Sequence, residues 1–252
     1  MTTQTAMDGS GGKTYAWYAR FAPMYLALLP LSIALGPWIP ASIWETLGIV
    51  AGAPAVLSVF LSEKGRDRGR RLQEGLWKSW GGPLITQYLR HRNSVINPHL
   101  KVEYHRKLAL LLPNVTIPTP EQEQSHPDDA DVVYDACSEH IVGVVRAEPE
   151  RFWEAFRENR SYGFRRNLWG LKPFGIFNSL LGCGVLGGAQ GYHWQSAPAI
   201  DPILALGFGA CAVSLAAWCF LVTSEWIKVP SDAYAKRVLE ALPRMTEEDR
   251  LG

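Results

Sequence analysis

The sequence predicts an all-α integral membrane protein, with four transmembrane helices in two hairpins flanking a cytoplasmic helical domain. Three observations predict it. Charge is nearly absent from two long stretches: from Phe21 to Ser62 the one acid is Glu45, from Phe174 to Ser224 it is Asp201, and neither stretch holds Lys or Arg. Each stretch contains two apolar runs, near 23–39, 43–61, 174–192 and 202–223, each about long enough to cross hydrocarbon at roughly 1.5 Å per residue. The connections within the pairs, 36–42 and 191–201, lack Lys and Arg, so the positive-inside rule turns them away from the cytoplasm and both termini inward. The expected layout is a disordered arm (1–20), hairpin one (21–62), a cytoplasmic α-helical domain (63–173), hairpin two (174–224) and a cytoplasmic tail with a short amphipathic helix (225–252). The expected location is the inner (plasma) membrane.

Composition bounds the function. The net charge of +1 averages apolar spans with a mildly basic centre, which is not the profile of a nucleic-acid binder. Cys137, Cys183, Cys211 and Cys219 form no Cys-x-x-Cys pair, and three lie within spans, where thiols act as small apolar groups. The first twenty residues are polar and glycine-rich, so the first span is expected to remain as an uncleaved anchor.

Taken in order, Tyr15, Trp17, Tyr18 and Arg20 make an interfacial collar before span one. Trp38, Trp44, Trp169, Trp194 and Trp226 fall at the other boundaries, where amphipathic rings settle. Pro30 leaves the carbonyl of Leu26 without its helical donor, and Pro54 does the same to Val50. Residues 62–79 extend span two as a charged amphipathic helix that breaks at Gly81-Gly82-Pro83. A short helix follows over 83–92, and Asn97 and Pro98 supply a cap and first turn for a helix over 99–112. Four prolines make 113–127 a long loop. Asp128, Asp129 and Asp131 open a helix to about 147, favourable to its dipole. Pro149 starts another to about 160, and 161–173 leads into the membrane. Ser231 is placed to cap a helix over 232–242 with Tyr234, Val238 and Leu242 on one side.

Chemistry-bearing patterns are few. Gly48-x-x-x-Gly52 and Gly184-x-x-x-Gly188 have the spacing that lets helix backbones approach closely, within one chain or between copies of a homo-oligomer. Lys64, Arg66, Arg68, Arg70 and Arg71 follow span two, and Arg165, Arg166 and Lys172 precede span three. Together they predict a positive collar at the inner face for anionic lipid headgroups or an anionic small-molecule signal. Asn178 and Ser179 are the polar groups placed to line a pore. The acidic string 126–131 reads as a helix start rather than a cation site. Cys137 and His140 share a helix face without a second pair at zinc spacing. No catalytic residue, metal or cofactor is assigned.

The expectation is therefore a non-enzymatic, oligomeric channel or pore-forming effector, gated by its cytoplasmic helical domain. By layout alone it resembles small bacterial membrane effectors that sense a signal and permeabilise the inner membrane. A membrane scaffold recruiting a cytoplasmic partner protein is the first alternative. An integral membrane lipid-modifying enzyme is the second, with His91, His99, His105 or Asp128 as its titratable groups. Reporter fusions at Gly12, Thr119 and Gly252 should all report cytoplasm, and one at Gln195 the far side. Opposite signals at Gly12 and Thr119 would require an odd number of spans between them and contradict this topology.

Overall fold

The computed structural model describes residues 21–39 and 52–250, with the backbone alone over 52–61. The expected N-terminal arm and aromatic collar, residues 40–51 with Trp44, Glu45 and Gly48, and the side chains of 52–61 in the expected second span lie outside the described residues. Every regular element among the described residues is helical. They are α1 (Ala22–Leu35, then a 3-10 turn Gly36–Trp38), α2 (Gly52–Trp80), α3 (Leu84–Leu89), α4 (Pro98–Leu111) and α5 (Pro120–Ser125). After them come α6 (Pro127–Ala147), α7 (Trp153–Ser196), α8 (Pro202–Ala216, then a π-helical turn Ala217–Leu221) and α9 (Ser224–Ala241). Two short 3-10 turns, Leu242–Arg244 and Glu247–Asp249, follow α9.

One helix among the described residues is long and apolar enough to cross a membrane: α8 with its π turn, Pro202–Leu221. The apolar stretch Ala22–Trp38 is shorter. Residues 174–192 of α7 interleave glycines with Asn178, Ser179 and Gln190, which dilutes their hydropathy.

The chain divides into two units. Unit 1 comprises Met1–Gln73 and Gly163–Ile227, and unit 2 comprises Glu74–Tyr162 and Lys228–Gly252. In unit 1 the buried cores are Met24, Ala27, Leu168, Leu171, Trp218 and Val222, and a smaller set of Ala34, Leu186 and Cys211. Glycine sets how close the helices come. A methyl carbon on Gly170 of α7 would lie 2.7 Å from both the Gly65 carbonyl oxygen and the Gly69 nitrogen of α2. On Gly175 it would lie 2.2 Å from the Trp218 ring, and on Gly182 it would lie 2.7 Å from Cys211 Sγ. Real Cβ atoms do not approach so near, so these three contacts exist because the side chain is hydrogen. Gly184, Gly188 and Gly191 differ: a methyl there meets nothing within 4 Å among the described residues.

In unit 2 the break expected at Gly81-Gly82-Pro83 is present. Gly81 (φ +88°) and Gly82 (φ +119°) turn the chain, and the Gly82 N–H returns to the Trp77 carbonyl at 2.8 Å. This bond satisfies a carbonyl that the helix end would otherwise orphan, and positive φ explains the glycines. Asn97 caps α4 through His99 N–H at 2.9 Å. α6 buries Ala130, Tyr134, Cys137, Ile141 and Val145 along one stripe. Tyr234, Val238 and Leu242 are all buried, so the tail helix packs within this unit.

Three boundaries differ from expectation. The loop 113–127 contains α5, because Thr119 and Gln122 form a reciprocal capping box with Pro120 at the first helical position. Residues 153–196 form one helix through Pro173, where the sequence predicts a helix to about 160, a lead-in over 161–173 and a separate span over 174–192. The tail helix starts at Ser224 and carries Pro230 inside, instead of starting after Ser231.

Replacing Gly170 with Ala should cost about 1–3 kcal/mol, since two backbone segments must separate to admit the methyl. Within a single copy, Gly184→Ala should be neutral or stabilising by about 0.5–1 kcal/mol, because there only backbone entropy changes. Thermal melts of the purified variants would check the pair; equal effects would contradict the packing described.

Candidate functional site

The expected basic collar divides into two kinds of residue. On α2, Lys64, Arg68, Arg70 and Arg71 are exposed, while Arg66 is half-buried and pairs with Glu63. On α7 the cations bond groups of neighbouring helices. Arg165 Nη1 donates to the Trp226 carbonyl at 2.6 Å, and its guanidinium carbon lies 4.5 Å from the centroid of the Trp226 ring. The partner has a local cause: Pro230 lacks the N–H that the Trp226 carbonyl would otherwise receive. Arg166 Nη1 donates to Gln73 Oε1 at 2.6 Å. Lys172 Nζ donates to the carbonyls of Val222 (2.8 Å) and Cys219 (3.2 Å), and lies 5.2 Å from the Trp169 ring centroid. A cation at the carbonyl end of a helix is favoured by the helix dipole.

Asn178 and Ser179 are 2 % and 0 % exposed. Asn178 Nδ2 donates to the Ala27 carbonyl at 2.9 Å, one turn before Pro30. Ser179 Oγ donates to the Gly175 carbonyl at 2.8 Å and lies 3.2 Å from Ser214 Oγ. Both polar groups are spent holding α7 to α1 and α8 within one copy. Lining a pore would require them to exchange these partners for water in an opened bundle. Among the described residues nothing lies within 4 Å of a methyl placed on Gly184 or Gly188 of α7, and Gly52 opens α2, while Gly48 is outside the described residues.

Unit 2 contains a polar cluster that brings together two of the three histidines considered. His91 and His105 meet edge to face at 4.6 Å, and His105 stacks on Tyr134 at 5.9 Å. His99 is exposed. Their ring nitrogens face carbonyls, which only accept, so Nε2 of His91 donates to Pro118 (2.9 Å) and Nε2 of His105 donates to Leu89 (2.7 Å). At the centre is the buried carboxylate of Glu123. It accepts from the His91 N–H (2.6 Å), the Arg92 N–H (3.2 Å) and the Tyr134 hydroxyl (2.8 Å), with the Arg92 guanidinium 3.5 Å away. Burial raises the carboxyl's pKa, but these donors outweigh it and hold it below the ordinary Glu value. Lys101, also buried, donates to the carbonyls of Arg90 and Asn93, and Arg90 forks onto Asp131 with two 2.8 Å bonds. This set of bonds clamps the turn at 90–97 against α4–α6. Asp128 is exposed on the first turn of α6, apart from these bonds.

Cys137 is fully buried on α6, and burial pushes its thiol up to about 11, far from a nucleophile's range. Among the described residues, no three His, Cys, Asp or Glu side chains gather as a metal site would need.

Burial lowers His105 to about 4, against a weaker rise from its bond to Leu89. A folded pKa below the unfolded 6.5 means the unfolded chain binds more protons between the two values. The stability from this group is complete above pH 6.5 and is lost as pH falls through 4; Glu123 adds a loss in the same direction below 4.5. The melting midpoint of the full chain, followed by circular dichroism, should fall as pH drops from 6.5 toward 4, and His105→Gln should flatten that slope. A slope unchanged in the variant would contradict a neutral buried His105.

Compared with family models, with curated proteins and with solved structures, the chain matches none.

Proposed function

We propose that the chain is a four-span membrane protein that assembles into an oligomeric channel or pore-forming effector, with unit 2 as the cytoplasmic helical domain that controls it. Unit 1 has the polarity of a protein dissolved in lipid. Its polar Asn167, Asn178 and Ser179 are buried, whereas Phe177, Leu180, Ile203, Leu206, Val213 and Phe220 are between 53 % and 78 % exposed. Only 11 % of the apolar window in Pro202–Leu221 is buried, which is not the burial of a soluble core helix. Such a surface in water would be an aggregation site, and in hydrocarbon it costs nothing.

The observation that carries assembly is the division of the glycines. Gly170, Gly175 and Gly182 are filled by neighbours within the copy, whereas Gly184, Gly188 and Gly191 present a bare backbone face among the described residues. Lipid chains pack poorly into such a groove, and a helix with its own small face packs well. Copies packed through this face would surround the proposed path, with Asn178 and Ser179 engaged inside each copy. The lipid-enzyme reading is weaker on this geometry, since His91 and His105 are held by carbonyls and serve a clamp.

Gly184→Leu with Gly188→Leu separates the possibilities. Among the described residues nothing lies within 4 Å of a Cβ at either position, so the copy should still fold and insert. The detergent-solubilised particle should fall to monomer size, and dye release from liposomes should drop to the protein-free level. Unchanged particle size with unchanged release would overturn the reading.

A further inference from the structure

An apolar groove of about 740 Å³ runs along unit 1 between α1 and α8. Leu29 and Ile33 form one wall, Leu206, Gly209 and Val213 the other, and the buried Trp218 contributes to the lining between them. It follows α8 from Ala205 to Leu221, about 24 Å at 1.5 Å per residue. At one end the groove reaches Val222 and Trp226, two residues that cations outside the lining contact. Lys172 donates to the Val222 carbonyl, and the Arg165 guanidinium lies over the Trp226 ring. The long axis is therefore hydrocarbon, and one end carries two cations.

We propose that this groove is a binding site for one anionic phospholipid, with an acyl chain along α1 and α8 and its phosphate beside Arg165 and Lys172. Charge favours that occupant over a helix of a second copy: the cations contact the groove's lining at the end where a headgroup would lie, and Trp226 is the ring type that settles at that depth. Glu225, exposed beside Trp226 in sequence, reduces the local positive charge without cancelling it. The proposal rests on the membrane embedding of unit 1, but it is independent of whether a channel forms.

Native mass spectrometry of the full chain, purified in detergent and offered equal phosphatidylglycerol and phosphatidylcholine, tests it. The wild type should retain one lipid per chain, with phosphatidylglycerol preferred by about fivefold, the scale of one basic residue near a lipid surface. Gly209→Leu fills the groove, and its added carbon meets nothing within 4 Å among the described residues, so folding should be preserved. Retention should then fall about tenfold for both lipids, as expected for displacing a few methylenes. Lys172→Gln should remove the preference by lowering retention of phosphatidylglycerol to the level of phosphatidylcholine. No retained lipid in the wild type, or equal retention in a Gly209→Leu protein with an unchanged melt, would overturn the proposal. A Gly209→Leu protein that changes oligomer size but not lipid retention would overturn it in favour of a second copy. Carbonate extraction of wild-type membranes tests the embedding separately, so failure of that premise is distinguishable from an empty groove.

Discussion

The approach of α2 to α7 is limited by backbone, not by side chains. At Gly170 the facing helix presents Gly65 and Gly69, and there is no space for even one methyl. Much else in unit 1 follows from that closeness. With α7 held there, Trp218 can lie flat on Gly175, and Asn178 can reach the Ala27 carbonyl. On the proposed membrane embedding no hydrophobic effect drives the helices together, so contact area gained by removing side chains adds to hydrogen bonds such as that of Asn178. A chain using glycine this way depends on the medium around it, since its outward surface is apolar.

Unit 2 is organised differently. Its core buries Tyr134, Ile141, Leu239 and Leu242 and holds a buried carboxylate answered by three donors and the Arg92 guanidinium. Glu123 costs desolvation and returns order: it fixes the backbone of His91 and Arg92 and so orients the turn that Lys101 holds from the other side. Removing one partner of such a set leaves a buried charge unanswered, a larger loss than the bond itself.

What the sequence disclosed, and what it hid, follows the range of the interactions. The break at Gly81-Gly82, the Asn97 cap and the helix opened by Asp128 and Asp129 are local, and each was legible from spacing alone. α5 was equally local, written in Thr119-Pro120 and Gln122, but four nearby prolines suggested a loop instead. The start of α9 was hidden because Pro230 normally disfavours a helix interior, and its orphaned carbonyl is answered by Arg165, 61 positions away. The same range hid the roles of Arg165, Lys172, Asn178 and Ser179. Residue type marked them as polar groups near or within apolar runs, while only the fold shows which carbonyl each one serves. His91 and His105 were candidates for a cluster, and the fold brings them together as a clamp.

The central claim is that unit 1 lies in a membrane and meets copies of itself through the bare glycine face of α7. Imaging single particles of the full chain in lipid nanodiscs tests it most directly. The account predicts a rotationally symmetric particle of several copies, each crossing the disc, with neighbouring α7 helices in contact at Gly184 and Gly188. A particle containing one copy, or a symmetric one whose α7 glycines face away from its neighbours, would contradict it.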